Sequence, residues 1–194
     1  MIVQFSDKND NLTDSIISLN VYSVDILHNV RQGLDASSTC SCSSGESSCQ
    51  KEEKRTIRQC TYTNLRDDRD SGQIMTCDFR KTRSDTALRV TYQGDLRVIS
   101  GNNVCRRWFM TFNGRECQSP ATIETQIHPI GVSGLNNHRP ATVDGFCEGI
   151  KEGRIIVGLS VGSCKYGYES QAGDAYTCWG AVCRIIIEEV PPLQ

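Results

Sequence analysis

The chain has 194 residues, of which 23% are charged and eleven are cysteine, and its formal net charge at pH 7 is −2. That length suits one domain of ordinary size, or a smaller domain with an appendage, and so near-neutral a balance selects no partner by itself. Eleven cysteines spread along the chain speak against the cytosol, where glutathione would hold them reduced, and so against an intracellular nucleic-acid partner. We expect a secreted, extracellular protein. The start, Met1 to Asp7, lacks the basic segment and apolar core of a signal peptide, so we expect a fragment or a secretion signal missing from this sequence. No run of about 18 apolar residues exists to form a membrane-spanning helix.

Residues 1–34 carry a seven-residue apolar repeat. Ile2, Asn9, Ile16, Ser23 and Val30 fall at position a, with Phe5, Leu12, Leu19 and Ile26 at d. This seam predicts an α-helical coiled-coil stalk for oligomerisation, in which the polar Asn9 and Ser23 fix register and weaken the helix. The competing reading is a single amphipathic helix packed on its own domain. Gly33 stands where a helix C-cap tolerates the left-handed conformation. Heptad chemistry leaves dimer and trimer both open. Asn11-Leu12-Thr13 is the one sequon, at position c and away from the seam, which makes Asn11 the glycosylation candidate.

Residues 35–57 change character to a serine-rich, apolar-poor linker ending in a charged run. Cys40, Cys42 and Cys49 lie within it. Three thiols cannot all pair inside one chain, so these are candidates for interchain disulfides. They lack the paired Cys-x2-Cys knuckles of a zinc module.

Residues 58–194 alternate with period two and form the predicted globular head. Leu88, Val90 and Tyr92 alternate with polar neighbours; so do Ile123, Thr125 and Ile127, and Ile155 through Val161 repeats the pattern. Short half-buried strands separated by turn pairs such as Asn113-Gly114 and Gln93-Gly94 predict a mainly β antiparallel sandwich or barrel. Eight cysteines fall here: Cys60, Cys77, Cys105, Cys117, Cys147, Cys164, Cys178 and Cys183. They can close four intrachain bridges, although eight cysteines allow 105 connectivities. Trp108, inside a strand pattern, is expected in the core, and Trp179, flanked by cysteine and glycine, near a surface.

Charge is uneven along the head. Arg80 to Arg115 holds eight basic residues against Asp85 and Asp95, whereas from Ala141 onward seven acidic residues face four basic ones. Registers that bury Leu88, Val90, Leu96 and Val98 direct Arg89 and Arg97 outward. With Arg106 and Arg107 they are candidates for binding a sulfated glycosaminoglycan. The alternative is an exterior whose arginines pair with acids of the other half. Catalysis finds no support. His28, His128 and His138 are the only imidazoles, Ser160 sits in a strand pattern rather than on a Gly-x-Ser-x-Gly elbow, and Asp7-x-Asn9-x-Asn11 lacks a calcium loop's glycine and final glutamate. We expect no enzyme, no metal and no cofactor.

Five blocks in register identify a relative: Ala87-Leu88-Arg89-Val90, Cys105-Arg106-Arg107-Trp108-Phe109, Thr111-Phe112-Asn113-Gly114, Cys147-Glu148-Gly149-Ile150 and Arg184-Ile185-Ile186-Ile187-Glu188-Glu189. From Arg58-Gln59-Cys60 onward the chain resembles the C-terminal globular domain of the collagen triple helix repeat-containing protein family. The resemblance implies a jelly-roll, trimeric head similar to complement and tumour-necrosis-type heads, carried on a stalk. It also implies a non-enzymatic matrix or signalling protein acting in matrix remodelling and Wnt-pathway modulation, through Wnt-type ligands and receptors. A structural matrix component and a complement-type recognition module for glycans are the alternatives. The chain departs from the family in having no Gly-X-Y run, so no collagen triple helix forms within it. It also lacks the family sequon before His138-Arg139. Six of the head cysteines match the family; Cys178 and Cys183 are additions flanking Trp179 to Val182 and are expected to pair with each other.

Overall fold

The computed structural model describes residues 55–99, 104–129, 134–167 and 173–194, all within one compact unit, Gln50–Gln194. The expected coiled coil, Asn11, Cys40, Cys42 and Cys49 lie outside the described residues. Period-two alternation builds the strands. In β10 (Val182–Val190), Cys183, Ile185, Ile187 and Glu189 are buried while their neighbours are not, and β-branched residues suit such a half-buried pleat. The other strands are β1 (Ile57–Thr63), β2 (Gly72–Lys81), β3 (Ala87–Ile99), β4 (Arg106–Phe112), β5 (Arg115–Glu116), β6 (Glu124–Ile127), β7 (Arg139–Cys147), β8 (Gly153–Ser163) and β9 (Asp174–Thr177).

Two five-stranded antiparallel sheets result. The first runs β1-β10-β3-β7, the second β2-β8-β4, with β5 and β6 sharing the far edge of β4. β3 is 13 residues long and serves three partners. Leu96 pairs with Arg139 of β7 on one edge and with Thr177 of β9 on the other, so β9 continues the edge that β10 begins. The chain passes from sheet to sheet at β1–β2, β2–β3, β3–β4, β6–β7, β7–β8 and β8–β9. This is the expected antiparallel sandwich.

One core joins the inner faces. Leu88, Val90, Tyr92, Leu96, Ile185 and Ile187 of the first sheet meet Trp108, Met110, Val157, Leu159 and Val161 of the second, all essentially inaccessible to water. Burying each such side chain contributes about 1.5–3 kcal/mol. Trp108 also donates from Nε1 to Thr177 Oγ1 at 2.9 Å, bonding the two sheets through the core.

Four bridges brace this frame. Cys60–Cys77 and Cys117–Cys147 span the sheets, Cys105–Cys164 joins the start of β4 to the end of β8, and Cys178–Cys183 closes the loop between β9 and β10. The last is the pairing that the departures from the family pattern singled out.

Of the two expected turns, one forms. Asn113 and Gly114, at φ 50° and 79°, make the tight hairpin between β4 and β5 that wants two left-handed residues. Gln93-Gly94 lies instead inside β3. There the glycine answers a close approach: a Cβ at Gly94 would come 2.3 Å from Cys183 Sγ and 2.4 Å from Tyr92 Oη.

Candidate functional site

The first sheet presents an aromatic platform at the end where β9 lies. β9 runs into Cys178-Trp179-Gly180, a loop in which Cys178 and Gly180 take φ of 64° and 59°. Three bonds hold it, two within the backbone and one to a carboxylate: Cys178 N–H donates to Asp95 O at 3.2 Å, Arg66 N–H to Cys178 O at 3.2 Å, and Trp179 N–H to Asp95 Oδ2 at 3.3 Å. The bridge to Cys183 closes the loop covalently. The Tyr92 hydroxyl supports it from below, donating to Asp95 O at 3.1 Å and lying 3.5 Å from Cys183 Sγ. Burial, helped by the Asp95 carboxylate, pushes the Tyr92 phenol far above its ordinary range, so it stays a neutral donor.

This bracing leaves the Trp179 indole 53% exposed. Tyr176 packs edge-on against it at 4.8 Å between ring centres, and His138 lies 5.6 Å from Trp179 and 5.9 Å from Tyr176. The Arg66 guanidinium sits 5.6 Å over the indole and that of Arg97 5.1 Å over the Tyr176 ring, both within cation–π range. His138 Nδ1 is 2.7 Å from Asp95 Oδ2.

Beside the platform opens a groove of about 510 Å³, lined among others by Gln93, Asp95, His138, Thr142, Val182 and Arg184. Asp95 and His138 belong to both features. Asp95 Oδ1 and Arg184 Nε, on two of these residues, are shielded from solvent and unpartnered, as are Arg97 Nε and Arg107 Nε elsewhere in the head.

The arginines expected to bind a polyanion are not brought together. Arg89 and Arg97 are on β3 of the first sheet, Arg106 and Arg107 on β4 of the second. Arg97, Arg106 and Arg107 are only 5%, 7% and 4% exposed. Arg97 pairs with Asp174 at 3.1 Å; Arg106 donates to Gly173 O at 2.8 Å and lies 3.4 Å from Asp70. Arg107 binds Glu116 at 2.8 Å and Glu124, and stacks over Phe109 at 3.9 Å. The hydrogen bond from Arg107, aided by Lys165, holds the Glu116 carboxyl down to about 2 despite its partial burial. Arg89 alone is exposed, and it is paired with Asp144 at 3.2 Å. Strand alternation correctly sends Arg97 to the outer face but cannot say that Tyr176 and Asp174 cover it there. The pairing of Arg89 and Arg97 with acids of the C-terminal half is thus what forms.

Sequence reasoning singled out Trp179 as near a surface but missed what surrounds it. Arg66, Asp95, His138, Tyr176 and Arg184 are spread over some 120 residues of sequence, and only the cross-strand register, Arg97 opposite Tyr176 and Gln93 opposite both Thr142 and Arg184, assembles them. Ser160 is buried within β8. Among the described residues no three His, Cys, Asp or Glu side chains are placed to hold a metal ion.

Among solved structures the chain is similar to one from T=1 particles derived from infectious bursal virus. The identity is 14% and the TM-score 0.32, over 82% of this chain and 40% of that one. A chain of the infectious bursal disease virus Gt strain matches at 9% identity and TM-score 0.28, over 73% of this chain and 36% of that one. Both likenesses are too slight to carry an argument, and the chain spans less than half the length of either. A family model is more specific: the one described as CTHRC1, C-terminal domain, matches residues 52–187. That match and the four disulfides point to an extracellular, matrix-related protein. The chain belongs to the CTHRC1 C-terminal domain family.

Proposed function

We propose that this chain is a secreted, non-enzymatic, oligomeric matrix or signalling protein whose head binds extracellular partners through the Trp179 platform. The observation that carries this reading is the exposed indole itself. It is fixed by a disulfide, three hydrogen bonds of its loop and two neighbouring rings. A large aromatic held rigid at the surface binds with little loss of conformational freedom, and such residues dominate the energetics of interfaces. Family resemblance supplies the partner class, Wnt-type ligands and their surface receptors in matrix remodelling. The wiring β1-β10-β3-β7 against β2-β8-β4, with β5 and β6 on the far edge of β4, supports a jelly-roll head of the complement or tumour-necrosis type. Such heads assemble in threes, and residues 1–34 would supply the stalk.

The test is a binding panel with the full chain immobilised, comprising Wnt-type ligands and receptors, collagen and sulfated polysaccharide. At least one member should bind, and Trp179→Ala should weaken it by about tenfold or more, the loss of a hot-spot side chain. A partner bound equally well by Trp179→Ala would remove the platform from the account. A second reading, a purely structural matrix component, is favoured by the four bridges; under it Trp179→Ala would enter matrix unchanged and no panel member would bind.

A further inference from the structure

We propose that Lys54-Arg55 is a processing site, where a subtilisin-like protease of paired-basic specificity frees the head from residues 1–55. Such an enzyme grips two adjacent cations with carboxylates of its own and needs accessible, extended backbone around them. The chain contains three pairs of adjacent basic residues: Lys54-Arg55, Arg80-Lys81 and Arg106-Arg107. The fold closes two of them. Lys81, at the end of β2, has a fully buried side chain held by the Arg83 carbonyl and the Thr86 hydroxyl. Arg107, in β4 between β8 and β6, is 4% exposed and bound to Glu116 and Glu124. Arg55 is the opposite case. Its side chain is 71% exposed, and it pairs with Glu188 at 3.4 Å, a surface ion pair of the kind that holds a side chain only weakly.

The backbone suits the cut as well. Pairing of this segment with the first sheet begins with Glu189 N–H donating to Thr56 O at 3.0 Å and with Ile57 opposite Glu188. The Arg55–Thr56 peptide group stands just ahead of that pairing, and the serine-rich, charged sequence before it has little apolar surface to bury. Exposed segments ahead of a first strand are where nicking concentrates. Hydrolysis consumes one water and leaves a carboxylate on Arg55 and an amino group on Thr56. β1 itself stays in place, because Cys60–Cys77 ties it covalently to β2, and all four bridges lie beyond the cut. The segment removed carries Cys40, Cys42 and Cys49, the candidates for interchain bridges, so one cut converts a linked assembly into separate heads. That consequence rests on the oligomeric reading; the cut site does not.

The test is limited digestion of the full chain, with its disulfides intact, by kexin as the paired-basic protease. N-terminal sequencing of the first large product should read Thr56-Ile57-Arg58, and its tryptophan emission should match that of the uncut protein. Arg55→Gln should slow this cut by about a hundredfold or more, since a protease site built to pair with a guanidinium is left with unpaired carboxylates. Glu188→Gln, which releases Arg55 from its partner, should not slow it. Resistance to kexin, a first cut after Lys81 or Arg107, an undiminished rate in Arg55→Gln, or a product that unfolds on cutting would overturn the assignment. Sedimentation before and after the cut then separates this site from the oligomeric reading. Heads that sediment as single chains support both. Heads that keep the uncut protein's oligomeric state leave the site standing and reject residues 1–55 as the device that holds the assembly together.

Discussion

Glu189 shows how much a single carboxylate does in this fold. It accepts the backbone N–H groups of Thr82 and Arg83 and the hydroxyls of Thr82 and Thr86, and it faces the ammonium of the fully buried Lys81 at 4.0 Å. Burial alone would raise its pKa, but these donors more than offset that and keep it ionised. The cluster fixes the turn between β2 and β3 to β10. Its two charged members are not equivalent. Lys81→Met leaves Glu189 with four donors and should cost on the order of 1 kcal/mol. Glu189→Leu leaves the buried Lys81 ammonium with the Arg83 carbonyl and Thr86 hydroxyl as acceptors but no countercharge, unpairs two backbone N–H groups, and should cost about 3–5 kcal/mol. Urea unfolding of both variants, with the disulfides intact, measures the difference; equal costs would contradict this account. The residue scale is also where sequence reading fell short. Alternation places Arg97, Arg106 and Arg107 on faces, but the acids that pair with them are up to 77 residues away, and no local pattern announces such partners.

At the scale of elements, β3 organises the first sheet, and the disulfides tie the strands around it. The bridges enclose very different loops: the sequence separation is 59 for Cys105–Cys164 and 5 for Cys178–Cys183. Loop-closure entropy makes the longer bridge worth about 2 kcal/mol more. Replacing each pair with alanine and comparing thermal or urea midpoints should therefore rank Cys105–Cys164 as the more costly loss. The Cys178–Cys183 replacement should act mainly on partner binding, because that bridge positions Trp179. The reverse ranking, with binding untouched, would mean the small loop serves stability alone. Several strands are legible in the sequence because apolar alternation in β3 and β8 is nearly unbroken, whereas in β10 the run Ile185-Ile186-Ile187 and the buried Glu189 hide it. Gln93-Gly94 was misread as a turn because glycine has two uses. A tight turn and a close approach look alike in one dimension, and only the placement of Cys183 against Tyr92 separates them.

For the whole molecule, sequence foretold a disulfide-built antiparallel sandwich and its family, and missed the site. The platform draws on Arg66, His138, Tyr176 and Trp179, with Asp95 beneath them, residues joined by register rather than by any motif. Assembly belongs to this scale too. Sedimentation of the native protein should give three times the chain mass, and replacing Cys40, Cys42 and Cys49 together with serine should abolish linked species on non-reducing gels. A monomer at micromolar concentration would reject the trimeric arrangement. The central claim, that the Trp179 end of the first sheet is where partners bind, is tested most directly by hydrogen exchange on the complex with whichever panel member binds. Protection should fall on peptides covering 93–97, 138–142 and 174–184. Protection confined to the outer face of the second sheet, around Asp78, Arg154 and Ile156, with those peptides unchanged, would contradict it.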